Sequence, residues 1–130
     1  ACSGGSPKVP SGAYRNVVVM TDCELDFSNN VILDGSTFLT RATGDLPIRA
    51  PSGGNGGLQI GSNDNCAAGG GSQVITFGGM RTAAKMSLYG GQIAAARDVK
   101  FAAQANGFDG ASVIAGGDID GTSNSDFGTC

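Results

Sequence analysis

The sequence contains no histidine, and this absence excludes several kinds of site. Histidine is the commonest metal ligand and the usual general acid or base near neutral pH. The cysteines form no CxxC pair, so the ligand pattern of a structural zinc site is also missing. Any catalysis would have to use carboxylates, lysine, arginine, serine or tyrosine. We therefore expect no cofactor, no zinc site and no enzymatic activity.

Charge is scarce as well. Asp, Glu, Lys and Arg make up 15% of the residues, and the formal net charge is −3. The basic residues form no run, so the electrostatic footprint of a nucleic-acid-binding protein is missing. The longest aliphatic run, residues 17–20, is far shorter than the ~20 residues that a membrane span needs. We expect neither a nucleic-acid partner nor a membrane span in this chain.

Glycine, in contrast, is abundant, with 23 residues in a chain of 130. Glycine enters left-handed backbone conformations without a Cβ clash, so scattered glycines indicate many tight turns between short strands. The length is that of one domain. The sequence therefore predicts a single all-β domain over residues 1–130.

The four cysteines are Cys2, Cys23, Cys66 and Cys130. Their even number, and the place of two of them near the ends of the sequence, fit disulfides that tie down both ends. Three connectivities are possible. We favour Cys2 with Cys23 and Cys66 with Cys130, because each bridge would then anchor one end. Oxidised cysteines predict an extracellular or cell-surface location.

An internal repeat links residues 76–88 (TFGGMRTAAKMSL) with residues 88–101 (LYGGQIAAARDVKF). Apolar residues alternate within each unit, as in short strands that face one core, and Gly-Gly pairs supply the corners. Two units span the 25 residues from 74 to 99, which we interpret as one coil. The repeat predicts a small right-handed parallel β-helix (a β-solenoid) of four or five coils, with a β-sandwich as the alternative. The residues expected to face inward are Met86, Leu88, Ile93, Val99, Phe101, Val113 and Ile119.

Polar and glycine-rich stretches flank and interrupt this pattern. Residues 1–13 indicate an extended lead-in, residues 51–57 and 61–72 indicate excursions, and residues 121–130 indicate a C-terminal cap. Terminal coils need caps, because an uncovered coil exposes unpaired backbone groups. An uncovered end would allow copies of the chain to stack head to tail.

Acidic and polar clusters are the candidate sites. Asp118 and Asp120 alternate along the chain, so they could share a cation with Asp98 one coil earlier. The oxygens of residues 62–65 could do the same. Aspartate and asparagine are also turn formers, and we prefer that interpretation for both clusters. We therefore assign no metal site.

A small basic row is the other candidate. Lys85 and Arg97 occupy equivalent positions of the repeat, so they could contact an acidic glycan. They could equally be solvated surface residues or partners of Asp98, and this second interpretation is the one we favour. No binding residue is assigned from the sequence.

Whole phrases of the chain resemble a known family. Residues 16–33 (NVVVMTDCELDFSNNVIL), 58–67 (LQIGSNDNCA), 87–107 (SLYGGQIAAARDVKFAAQANG) and 112–128 (SVIAGGDIDGTSNSDFG) are similar to the C-terminal extracellular region of TadG-like proteins. These proteins are associated with tight-adherence (Flp) pilus systems of alphaproteobacteria. The resemblance implies an exported protein, normally held by an N-terminal membrane helix that this chain lacks. The DxSxS motif of von Willebrand-type adhesion domains is absent, so no metal-dependent adhesion is implied.

Three classes of function follow from these observations. We expect a non-catalytic structural or assembly module of an extracellular surface appendage, associated with the pilus or forming filaments. A glycan- or surface-binding adhesin domain ranks second, and a polysaccharide-active enzyme ranks third. The chain is too poor in charge to line a cleavage groove with several acidic and basic residues. The expected partners are further copies of the chain, other appendage proteins or glycans.

Overall fold

The computed structural model describes residues 2, 5–45, 47–50, 57–64, 71–82, 86–101 and 105–121, with the backbone alone at 105–109. The described residues form sixteen short β-strands and no helix. Each of the strand pairs between them is parallel. The predicted all-β class is confirmed.

The strands belong to three sheets, and successive strands pass from one sheet to the next. Sheet A contains β1 (Lys8–Val9), β4 (Leu25–Phe27), β7 (Ile48–Ala50), β10 (Met80–Thr82), β13 (Val99–Phe101) and β16 (Ile119–Gly121). Sheet B contains β2 (Gly12–Arg15), β5 (Val31–Asp34), β8 (Leu58–Ile60), β11 (Met86–Tyr89) and β14 (Ala105–Asp109). Sheet C contains β3 (Val18–Thr21), β6 (Thr37–Thr40), β9 (Gln73–Thr76), β12 (Gln92–Ala95) and β15 (Ser112–Ala115).

This arrangement is a parallel β-helix, as predicted. Each coil contributes one strand to each of the three sheets, and the sheets enclose a single core. The described residues make five complete coils, and β16 begins a sixth. The prediction of four or five coils is therefore confirmed, with five complete coils. That the β-helix is right-handed stays a prediction.

The coil is shorter than the sequence repeat suggested. Val74 pairs with Ile93 and Met80 pairs with Val99, so partners lie nineteen residues apart and not 25. The matched segments 76–88 and 88–101 begin on different sheets, and the predicted coil length is wrong. Strands of all three sheets carry a similar alternation, as β9, β11 and β13 show, so the repeat matched strands and not coils.

Three connections lengthen the middle coils. Partners in β6 and β9 are 36 residues apart, as Thr37 and Gln73 show. The extra length lies in the connections from β6 to β7, from β7 to β8 and from β8 to β9, and the sequence predicted excursions in the last two of these. Residues 51–56 and 65–70 of these connections lie outside the described part of the chain.

The core consists of the inward-facing residues of the three sheets. Most of the predicted inward residues are buried, namely Met86, Leu88, Ile93, Val99 and Phe101. Val113 is half-buried against the core. Ile119 faces inward as predicted, but it is 53% exposed. Ile119 stacks in register on Val99, but β16 is the last strand of sheet A, and no described strand covers its other side.

The corner from sheet B to sheet C accounts for four of the 23 glycines. One residue with a positive φ follows the sheet B strand of every coil: Asn16, Gly35, Gly61, Gly90 and Gly110, with φ between 52° and 89°. Residues other than glycine or asparagine are strained in this region because their Cβ approaches a carbonyl oxygen. The fold therefore demands glycine or asparagine once per coil.

Two buried serines hold the same corner together. The Ser36 hydroxyl donates to the Tyr14 carbonyl (2.8 Å) and accepts from the Val17 amide (3.1 Å). The Ser72 hydroxyl donates to the Leu33 carbonyl (2.8 Å) and accepts from the Ser36 amide (3.2 Å). Buried backbone groups are costly when unpaired, so these hydroxyls stabilise the stack of the first three coils.

Cys2 and Cys23 form a disulfide, with their Cα atoms 5.0 Å apart. This pair is one of the two bridges that we favoured from the sequence. It joins the segment before β1 to the corner between β3 and β4. Cys66 and Cys130 lie outside the described residues, so the second bridge stays a prediction.

Removing the Cys2–Cys23 bridge should lower the free energy of unfolding by about 3 kcal/mol, because the bridge restricts a loop of about twenty residues in the unfolded chain. Urea unfolding of the Cys2→Ser/Cys23→Ser variant against the wild-type protein measures this loss. Intact mass before and after reduction confirms that the wild-type pair is oxidised. Equal stability of the two proteins would contradict the prediction.

Candidate binding surfaces

The structure places the predicted acidic cluster at a corner. One carboxylate oxygen of Asp98 accepts a hydrogen bond from the backbone amide of Asp118 (2.9 Å), which fastens one coil to the next. Asp120 lies in β16 and is exposed. Among the described residues, no group of three or more acidic or cysteine side chains could share a metal ion. Asp98 thus links two coils, whereas the interpretation that we preferred was a bond within its own turn.

The cluster at residues 62–65 forms local contacts of the same kind. The Ser62 hydroxyl donates to the carboxylate of Asp34 (2.6 Å), and the Asp64 amide donates to the Ser62 carbonyl (2.9 Å). Asn65 lies outside the described residues. These contacts build a turn on the coil surface.

The structure describes one of the two residues of the predicted basic row, Arg97. Arg97 pairs with Asp45 through Nη1 and Oδ1 (2.5 Å), and not with Asp98. Lys85 lies outside the described residues.

Another row of basic side chains exists on the outward face of sheet A, where Arg49 lies in register with Arg81, and Arg81 with Lys100. We call Arg49, Arg81 and Lys100 the cation column.

The three residues of the cation column are exposed and follow one another at the strand spacing of ~4.8 Å. Arg49 lies 3.6 Å from a carboxylate oxygen of Glu24. Within the described part of the chain, Arg81 and Lys100 have no ion pair. Sequence reasoning missed this column because a 25-residue coil does not align Arg81 with Lys100, whereas the nineteen-residue coil does.

A groove of about 570 Å³ lies beside the column. Its lining includes Arg81, Lys100, Arg97, Asp45, Asp98 and Gly117. Its two carboxylates already have partners, because Asp45 pairs with Arg97 and Asp98 accepts the Asp118 amide. Among the described residues, Arg81 and Lys100 thus have no ion-pair partner, and the groove lining carries three cationic and two anionic side chains.

The outward face of sheet C has the opposite character. One apolar residue of each coil lies there in a single row: Met20, Leu39, Ile75, Ala94 and Ile114. Met20 is 66% exposed and Ile114 is 53% exposed. Val18 and Phe77 extend the row sideways, with exposures of 76% and 49%. We call these seven residues the apolar face.

The apolar face carries no net charge. Beside it, Arg41 and Asp22 form an ion pair (2.5 Å) just after β6 and β3, and this hydrogen bond lowers the pKa of Asp22 and raises that of Arg41. The adjacent outward column is neutral, with Thr37, Gln73, Gln92 and Ser112 in register. The face is thus flat, apolar and neutral across five coils.

These features define a small, disulfide-linked parallel β-helix with two outward faces of contrasting chemistry. The chain belongs to a family described as a domain of unknown function (DUF7867), which matches residues 4–130. No curated protein and no solved structure matches the chain. A search of the described residues for a helix long and apolar enough to cross a membrane found none.

Proposed function

We propose that this chain is a non-catalytic structural module of an extracellular surface appendage, and that it assembles by packing its apolar face against the same face of a second copy. The observation that supports the proposal is the row from Met20 to Ile114, an outward apolar residue on all five coils. The row extends over ~19 Å at the strand spacing.

Exposed apolar surface of this kind favours an interface. Single exposed apolar residues are ordinary, but a contiguous patch on a soluble domain marks an interaction site. Here Val18, Met20, Phe77 and Ile114 are each about half exposed or more, and the half-buried residues Leu39, Ile75 and Ala94 complete the row between Met20 and Ile114. Covering them removes apolar area from water, which stabilises an association.

The shape and charge of the face favour a second copy as its occupant. Two copies present the same strand spacing, so an antiparallel approach about a twofold axis places Met20 of each copy near Ile114 of the other. The paired charges of Asp22 and Arg41 leave no like-charge repulsion to oppose this contact. The contact buries apolar columns and leaves the cation column in solvent.

Two further observations support an extracellular appendage as the setting. The Cys2–Cys23 disulfide is stable in oxidising compartments such as the cell exterior. The resemblance to TadG-like proteins suggests an exported protein that acts with a tight-adherence pilus.

Sedimentation velocity over a wide concentration range tests the assembly. We expect the wild-type protein to associate and Ile114→Glu to stay monomeric, because the new carboxylate would be buried against the partner's apolar face. The matched control is Ile32→Glu, which changes an exposed isoleucine on sheet B, and should associate like the wild-type protein. Circular dichroism confirms that both variants are folded.

A wild-type protein that is monomeric at all concentrations would contradict the proposal. Association that survives in Ile114→Glu would also contradict it, and would favour head-to-tail stacking through the coil ends, which the sequence predicted. In that case the exposed end residue Ile119 becomes the position to change.

A further inference from the structure

We infer that the cation column and the groove beside it bind an acidic polysaccharide, with the sugar chain lying along the helix axis. The inference goes beyond the proposed assembly, because it uses sheet A and not the apolar face of sheet C. It assigns a ligand class to Arg49, Arg81 and Lys100.

The three positive charges of the cation column lie close together. Three like charges in register at ~4.8 Å lie well within the screening length of ~8 Å at physiological salt, so they repel one another. Lys and Arg side chains on the surface usually relieve such repulsion through carboxylate partners. Arg81 and Lys100 have none among the described residues, and the two groove carboxylates are already engaged. An anionic ligand supplies the missing partner.

The length and direction of the cation column match those of a short sugar chain. The column spans two strand spacings, ~10 Å, which is close to the length of a disaccharide. Asp26 lies in register beside Arg49 and Asp120 beside Lys100, so their carboxylates repel an acidic sugar beyond the column and limit the ion pairs to the rings that lie over it. The sheet is parallel and narrow, and an extended, ribbon-like chain can follow it from coil to coil. Uronic acid polymers that are linked through β-1,4 bonds have this form and carry one carboxylate on each ring.

The same face is poorly suited to a nucleic acid. Single-stranded nucleic acids bind through aromatic platforms as well as cations, and the outward positions of sheet A that the structure describes are charged and not aromatic. Three cations also neutralise few phosphates on a duplex. Binding of the carboxylates on a sugar chain requires only cations and hydrogen-bond donors, and Arg81 and Lys100 provide both.

Isothermal titration calorimetry of the full chain with a β-1,4-linked mannuronic acid hexasaccharide tests the inference. The matched ligand is the corresponding mannose hexasaccharide, which has the same backbone without carboxylates. We expect binding of the acidic sugar only, and binding roughly tenfold weaker in Arg81→Gln/Lys100→Gln, because two exposed ion pairs are lost. The affinity should also fall as salt is raised.

The matched protein control is Arg15→Gln/Arg41→Gln, which removes two positive charges from sheets B and C and leaves the column intact. This variant should bind the acidic sugar like the wild-type protein. Equal loss in both double variants would mean that net charge and not the column binds, and would overturn the inference. Equal binding of the neutral sugar, or of a single-stranded oligothymidylate, would overturn it as well. Sedimentation of Arg81→Gln/Lys100→Gln, which should associate like the wild-type protein, keeps this test separate from the assembly proposal. The control variant is not used for this purpose, because the loss of Arg41 leaves Asp22 unpaired beside the apolar face.

Discussion

Replacing Val99 with aspartate should lower the free energy of unfolding by about 4 kcal/mol or more, because it buries a carboxylate without a partner. Val99 is completely buried in β13, in register with Met80 on one side and Ile119 on the other. No hydrogen-bond donor of these neighbouring side chains could satisfy the charge. Urea unfolding followed by circular dichroism measures the loss.

The control for Val99→Asp is the same substitution at Val18, which is 76% exposed on sheet C. Surface substitutions of this kind usually change stability by less than about 0.5 kcal/mol. The comparison is made at low protein concentration, where the apolar face is free. Similar losses in the two variants would mean that β13 does not face the core as described.

Gly61→Ala should be the second severe substitution, with a loss of about 3 kcal/mol from backbone strain and overpacking together. Gly61 has a φ of 89°, and a Cβ there would overlap the backbone carbonyl oxygen of Tyr89 on the next coil. That carbonyl belongs to the backbone of a paired strand, so it cannot move aside like a flexible side chain. Thermal or urea unfolding measures the effect.

Gly90→Ala separates the two causes. Gly90 occupies the equivalent corner one coil later, with a φ of 58°, but a Cβ there would contact nothing within 4 Å. Only the conformational strain remains, so the expected loss is about 1 kcal/mol. A loss in Gly61→Ala no larger than in Gly90→Ala would show that the coils stack less closely at this corner than the structure indicates.

The fold class was predictable because its signals are local. Alternating apolar residues, such as Met86 with Leu88 and Val99 with Phe101, identify strands that face one core whatever their partners are. The Gly-Gly pairs at 78–79 and 90–91 identify corners between such strands, as the structure confirms. The Cys2–Cys23 bridge was favoured among three connectivities because it would anchor one end of the sequence, and the structure contains it.

The coil length was not predictable by the same means, because strands of different sheets carry similar alternation and Gly-Gly pairs occur at more than one corner of the coil. The long connections between β7, β8 and β9 further hide the nineteen-residue spacing in the first half of the chain. Both binding surfaces depend on that spacing. Arg81 and Lys100, or Ile75 and Ala94, become neighbours only when the register between coils is known.

Photo-crosslinking at the apolar face tests the central proposal most directly. Phe77 lies at the edge of this face, so its replacement with benzoylphenylalanine places a reactive aromatic group where the second copy is expected. The account predicts a covalent dimer on illumination, with the crosslink mapped by mass spectrometry to sheet C of the other copy. The same label at Tyr89, on sheet B, should give no dimer. The absence of a dimer from position 77 at concentrations where the protein associates, or a crosslink to sheet A or B, would contradict the account.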